Sequence, residues 1–457
     1  MASTPLARAS AVADGARRSP VFLQVDNTMV RDLLDEQERS EPSPAAVITA
    51  LRYLPRLKVP AVAKPSPISV RPLPYSRQDI TEDDIAAVAA VLRSDFLTQG
   101  QELPAFEAEF AAIHQLPHAV AVSNATAALH IACLALGVEP GDSVWTCTNS
   151  FLASANCARY CGASVDFIDI DPATRNLSIP LLAEKLAAAE AAGTLPRVVI
   201  PVDFAGLPCD WPALRALADR YGFKLLQDAS HATGATLHGK PMGADWADIT
   251  VFSFHAVKVV TTAEGGMACT RDAELAKSLR LLRSHGMVRN AEEMQDTPDG
   301  PWTYEQQDLG FNYRMTDLQA ALGRSQLRRL ADMQAHREKL ASRYDHLLRT
   351  LPVKTPPRHA EAKSSWHLYA IELDDSVLER ISRAAVFEGL RACGIGVQVH
   401  YIPIHTQPYY QALGFKRGDF PAAEDYYART ISLPLFPAMT DADQDRVVAA
   451  LQELLKP

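Results

Sequence analysis

No apolar run in this chain approaches the roughly 20 residues that a spanning helix requires, which argues against a membrane anchor. The first residues, MASTPLARASAVADGARRSP, lack the apolar stretch of a secretory signal, so the expected address is cytoplasmic. Paired cysteines are missing too. Seven of them, an odd number with no CxxC, are scattered at Cys133, Cys147, Cys157, Cys161, Cys209, Cys269 and Cys393, a pattern that suits reduced thiols better than a disulfide framework. Cys157 and Cys161 stand one helical turn apart and read as small core residues, because no His or Cys partner motif accompanies them. No metal site is expected. Lysine and arginine form no cluster, and the net charge is −9, so the basic face that a nucleic acid would need is absent. Anionic ligands must then be met by local groups.

What remains is ordinary globular material: 457 residues, 47% hydrophobic and 22% charged, enough for a large core and two or three domains. Residues 1–72 differ from the rest, with Pro-rich stretches SEPSPAAV and LKVPAVAKPSPISVRPLP, and read as a flexible extension. A globular pattern sets in at Tyr75, with a helix at TEDDIAAVAAVLRS whose Thr81 and Asp84 form an N-cap pair. Short Val- and Ile-rich runs then alternate with amphipathic helices, the pattern of a mainly parallel sheet covered on both faces. This makes 73–330 a large α/β domain. A helical tract from about Thr316 to Leu351 leads into a smaller α+β domain, 331–457, with strands expected at WHLYAIEL and GIGVQVHYI and a closing helix at DADQDRVVAALQELL.

In an open α/β sheet, ligands collect at the carboxyl ends of the strands. Three such ends carry polar residues. In VSNATAALH, Asn124, Ala125 and Thr126 follow a strand and open a helix, offering backbone N–H groups and a hydroxyl to a phosphate; an ordinary N-cap explains Asn124 or Thr126 as well. In LLQDASHATGA, Asp228 ends a strand with His231 three residues on, placed to pair with a protonated ring nitrogen or, more simply, to close its own turn. In VFSFHAVKVVTTAEGG, Ser253 and Lys258 follow a β-branched and aromatic run. A lysine there either snorkels to solvent or serves as a Schiff-base amine.

A phosphate-binding helix start, an aspartate and then a serine and lysine, in that chain order, are the parts required to hold pyridoxal phosphate (PLP). The order resembles that of the fold-type I PLP enzymes. With SNATAALHIACLALGVEPGD, NSFLASANCARYCGASVDFIDID, DASHATGA, FSFHAVKVVTTAEGG and GFNYRMTDLQAALG, the chain from Tyr75 onward resembles the DegT/DnrJ/EryC1/StrS nucleotide-sugar aminotransferases. LRSDFLTQG, SFHAVK before TTAEGG, and VHYIPIHTQPYY resemble the branch that aminates C4 of a UDP-4-keto-6-deoxy-N-acetylhexosamine on the way to pseudaminic acid, with L-glutamate as donor.

The resemblance implies that Lys258 is the imine-forming lysine and Asp228 the partner of the cofactor's ring nitrogen, with His231 near its phenolic oxygen. Ala125, Thr126 and Ser253 would hold the phosphate, and Phe151 would stack on the ring, although Phe151 also fits a core position. Asn312 would reach the phosphate in the neighbouring subunit, which implies a homodimer with shared sites; a helix cap near Thr316 is its simpler role. For the sugar nucleotide the resemblance points to Tyr75, Thr98, Gln99 and Asn124, to Tyr313 and Arg314 from the partner, and to His400 and Tyr401, with His400 equally readable as a strand histidine. Two departures stand out: Gln227 where many members have glutamate, and SNAT in place of NSAT, which leaves the role of Asn124 open.

Overall fold

The computed structural model describes residues 71–456 apart from Ala244, so the expected extension lies outside the described residues except for its last two positions. The described residues belong to one compact unit. Seven strands form its main sheet: β1 (His118–Val122), β2 (Ser143–Cys147), β3 (Ser164–Ile168), β4 (Val198–Ile200), β5 (Lys224–Asp228), β6 (Ile249–Ser253) and β7 (Gly266–Thr270). Their spatial order is β1, β7, β6, β5, β4, β2, β3, with β7 antiparallel to both its neighbours and the other six parallel to one another. Near-continuous burial along β4, β5 and β6 is what a sheet covered on both faces requires.

The helices between strands follow the local signals. Asn124 caps α3 (Ala125–Ala135) through a bond from Ala127 N to its Oδ1, and Ser178 caps α5 (Ile179–Ala192), which stops at a left-handed Gly193. Before these come α1 (Glu82–Leu92), opened by the Thr81 and Asp84 capping box, and α2 (Glu102–Ile113); α4 (Ala153–Tyr160) lies between α3 and α5, and α6 (Trp211–Tyr221) and α7 (Ala273–Arg283) follow. Cys157 and Cys161 are buried, and all seven cysteines are free thiols.

The expected helical tract consists of two helices, α8 (Asp317–Leu327) and α9 (Leu330–Leu348), separated at Arg328 and Arg329. Arg329 is held there by Asp79 at 2.8 Å and Asp84 at 2.6 Å, so the break is fixed by ion pairs from α1 and the chain before it. A second core surrounds a three-stranded antiparallel sheet of β8 (Val353–Lys354), β9 (Tyr369–Leu373) and β10 (Thr430–Leu433), covered by α9, α10 (Arg383–Ala392) and α11 (Asp441–Leu454). The run GIGVQVHYI does not become a strand; it makes isolated bridges, Ile395 to Leu73 and Gln398 to Ser432. Its neighbour on one side is the segment around Leu73, and Pro72 and Pro74 there have no N–H with which to extend a ladder.

Candidate active site

The parallel strands deliver their carboxyl ends to one edge of the sheet. Asp228 ends β5 and Ser253 ends β6, while the reversed β7 brings Gly266 into register with Ser253. A Cβ on Gly266 would lie 2.6 Å from the Ala125 amide nitrogen and 2.7 Å from the Asn124 carbonyl oxygen. Glycine is therefore needed for β7 to pass beneath the start of α3, and this close passage brings Ser253 near the Ala125 and Thr126 amides. Those two amides have no acceptor within the helix, and its first turn carries no acidic residue. With the Ser253 hydroxyl they suit a phosphate.

Asp228 is 4% exposed, and its oxygens accept from Ser230 N at 3.0 Å and Ser154 Oγ at 2.6 Å. Next to it in sequence, Gln227 points elsewhere. It donates to Asp203 Oδ2 at 2.6 Å and accepts from Thr250 Oγ1 at 2.9 Å, in a network where burial lifts Asp203 to about 6. An amide at position 227 can donate to Asp203, and a second carboxylate there could do so only when protonated.

Lys258 is half-buried, the fifth residue of the loop between β6 and β7, and burial brings its amine down to about 8 against the opposing pull of Asp228. Its Nζ lies 3.4 Å from His367 Nε2, and the other ring nitrogen of His367 is buried with no partner among the described residues. His231 packs against His367 with ring centroids 4.5 Å apart. The Ala205 amide donates to His231 Nδ1 at 3.2 Å, so in the neutral ring the hydrogen sits on Nε2 and faces the Tyr401 hydroxyl 3.1 Å away. Tyr401 in turn lies 6.3 Å from the ring of Phe151, and His400 lies 5.8 Å from that of Tyr75. His400 bonds Ser432 Oγ at 2.8 Å.

Three imidazoles thus surround one amine, and all three are held well below the usual histidine range, first by burial and then by the nearby lysine; His400 falls to about 3. At neutral pH they are uncharged donors and acceptors, leaving Lys258 and Asp228 as the central charges. Phe151, expected to stack on a ring, is 59% exposed, which rules out the core position as its alternative.

The remaining expected residues form a second group. Thr98 and Gln99 lie in an exposed loop tied to α8: the Asp317 carboxylate accepts from Gly100 N and Glu102 N, each at 2.8 Å, and Leu103 N at 3.2 Å, while Asp317 N donates to Leu97 O. Immediately before α8, Asn312 is exposed, and Thr316, not Asn312, caps the helix in a capping box with Gln319. Tyr313 bonds His130 Nδ1 through its hydroxyl at 3.2 Å. Arg314 is half-buried, and its side chain makes no hydrogen bond or ion pair among the described residues. Among the described residues, no hydrogen bond or ion pair joins this group to Lys258.

His367, Ser150, Ser154 and Asp317 were not singled out in the sequence. The HLY of SSWHLYAI reads as strand from its apolar neighbours, and only its position beside Lys258, across a separation of 109 residues, marks His367. Ser154 lies 74 residues from Asp228 inside a helix where a serine carries no signal.

A parallel sheet with one reversed strand, a lysine of depressed pKa that feels a buried aspartate, and a helix start with free amides define a fold-type I PLP-dependent transferase; the donor set suits the cofactor, with cationic, anionic and N–H groups at three separate places. The chain belongs to the DegT/DnrJ/EryC1/StrS aminotransferase family, whose profile matches residues 78–452. It is 42% identical over 387 residues to the spore coat polysaccharide biosynthesis protein SpsC of Bacillus subtilis, covering 84% of this chain and 97% of that protein. Among solved structures it is similar to Helicobacter pylori PseC, an aminotransferase involved in the biosynthesis of pseudaminic acid, at 30% identity and a TM-score of 0.77 over 84% of this chain and 99% of that one. The PLP form of the sugar aminotransferase Spr1654 from Streptococcus pneumoniae matches at 29% identity and a TM-score of 0.76, covering 84% of this chain and all of that one, 100%. The chain is thus a PLP-dependent sugar aminotransferase.

Proposed function

We propose that the enzyme transfers the amino group of L-glutamate to C4 of a UDP-4-keto-6-deoxy-N-acetylhexosamine, in a cytoplasmic route to pseudaminic acid. The observation that carries the chemistry is the Lys258 amine, lowered to about 8 and 3.4 Å from His367. Near neutral pH a useful fraction of it is unprotonated, as a group that both forms an imine and moves a proton must be. When bound, PLP supplies an electron sink for the pair left behind when a proton leaves the amino acid's Cα. The chain's own residues do the rest. Lys258 takes that proton and returns it elsewhere, His367 steers the amine, and Asp228 pairs with the ring nitrogen. His231 with Tyr401 serves the phenolic oxygen, Ala125, Thr126 and Ser253 hold the phosphate, and Phe151 covers the ring.

Tyr75, His400 and Tyr401 meet the sugar nucleotide, together with Thr98, Gln99 and Asn124. Asn312, Tyr313 and Arg314 act on the partner subunit's site in a homodimer. The Arg314 side chain, unpaired among the described residues, supports this, since a free guanidinium fork suits a diphosphate. The similarity to PseC supports the pseudaminic acid branch. The higher identity to SpsC favours a second reading, amination of a different 4-keto sugar for a surface polysaccharide. Incubation with L-glutamate and a panel of UDP-, GDP- and dTDP-4-keto-6-deoxy sugars, read by mass spectrometry, decides between them. Turnover of the UDP-N-acetyl sugar alone supports the first; preference for a dTDP or GDP sugar supports the second.

A further inference from the structure

Asp228 Oδ2 accepts from Ser154 Oγ at 2.6 Å, and Ser154 Oγ also lies 2.8 Å from Ser150 Oγ. An ionised carboxylate only accepts, so the single hydroxyl hydrogen of Ser154 is directed at Oδ2. That settles the second contact. Ser150 must donate and Ser154 accept, giving a one-way chain of hydroxyls from the loop after β2, through α4, to Asp228. Ser150 is 3% exposed and Ser154 is fully buried, so solvent does not compete along the chain.

We propose that Ser154, backed by Ser150, is a positioning residue that decides where the proton shared by Asp228 and the cofactor's ring nitrogen rests; this depends on the role given to Asp228 above. A hydrogen bond donated to a carboxylate favours its charged form and so lowers its affinity for a proton. A preceding donor polarises the hydroxyl and strengthens the effect. With the chain intact, Asp228 leaves the proton on the ring nitrogen, where it is needed to draw in electrons. Without Ser154, the carboxylate competes for that proton.

The test is the 15N resonance of ring-labelled PLP bound to the full-length protein, recorded at one pH, with cofactor occupancy read from the visible absorption band. Ser154→Ala is expected to move the signal from the protonated towards the unprotonated position while PLP stays bound. Ser150→Ala should move it the same way by less, and Ser154→Thr, which keeps the hydroxyl, should bring it back. Asp228→Asn separates the two ideas. If its signal stays at the wild-type position, Asp228 is not the ring's partner and the reading beneath the proposal fails. If Asp228→Asn shifts and Ser154→Ala does not, the hydroxyl chain is structural and the proposal alone is overturned. Should Ser154→Ala not fold, Ser154→Cys places a weaker donor at the same point, and a wild-type signal there overturns the proposal equally.

Discussion

At the scale of single residues, the proposed chemistry rests on the amine of Lys258. Lys258→Ala is expected to abolish transamination and leave the fold intact, since it trims one half-buried side chain; thermal unfolding and a glutamate half-reaction assay check the two halves, and more than trace turnover would sink the assignment. The depressed pKa also predicts a pH profile. Only the neutral amine combines with PLP, so uptake by the apo-protein should rise with pH and level off above about 8, not above the roughly 10.4 of an ordinary lysine. Levelling near 10 would show that burial does not perturb the amine. His367→Phe keeps an aromatic ring, slightly larger than the imidazole, and removes the nitrogen facing Lys258. Loss of a bond worth about 1 kcal/mol should slow turnover roughly fivefold, and an unchanged kcat would make the 3.4 Å approach incidental.

At the scale of elements, the site depends on β7 passing close under α3 and on α8 fastening the loop of Thr98 and Gln99. Gly266→Ala places a methyl group 2.6 Å from backbone atoms that cannot swing away. Overpacking of this kind costs about 1–3 kcal/mol, and the affinity for PLP should fall with it if the amides at the start of the displaced helix hold the phosphate as proposed. Calorimetry and a PLP titration would show this; normal PLP binding by the variant would mean that the phosphate sits elsewhere. Asp317 caps α2 from a distance, a helix whose own N-cap Gln101 offers no side-chain bond. Asp317→Ala removes the acceptor of three amides and should cost about 2 kcal/mol in denaturant unfolding, with Asp317→Asn costing less because one carbonyl oxygen remains.

At the scale of the whole molecule, the separation of the expected residues into a lysine group and an Arg314 group makes assembly a functional question. If the second group serves the partner's site, inactive Lys258→Ala subunits co-assembled with inactive Arg314→Ala subunits should regain activity, because one of the two sites in each mixed dimer has both its lysine and its partner arginine. Demonstrably mixed dimers without activity would place Arg314 in its own chain's site or outside both. The small sheet matters here too. His400 and Tyr401 follow the segment that bridges to its edge at Ser432, and buried Arg175 is paired with Glu372 on β9, joining the loop after β3 to that sheet.

The sequence by itself determined the alternation of strands and helices, the capping of α1 and α3, and the order of the helix start, Asp228 and Lys258 along the chain. Each of these depends on neighbours within a few residues, through periodicity, capping and the alternation of faces. It also suggested a helical tract from Thr316 to Leu351, without marking its break, and a strand at GIGVQVHYI. Distant ion pairs to Asp79 and Asp84 broke the first, and the proline-flanked Leu73 segment limited the second. Only the tertiary structure decided that His367 faces Lys258, that Ser154 supports Asp228, and that Asp317 holds the amides of Gly100, Glu102 and Leu103, pairings across separations of 109 and 74 residues and, for Gly100, 217. A hydrogen bond acts over about 3 Å of space whatever the distance along the chain, so such partners carry no local pattern and become visible only when the sheet has brought them together.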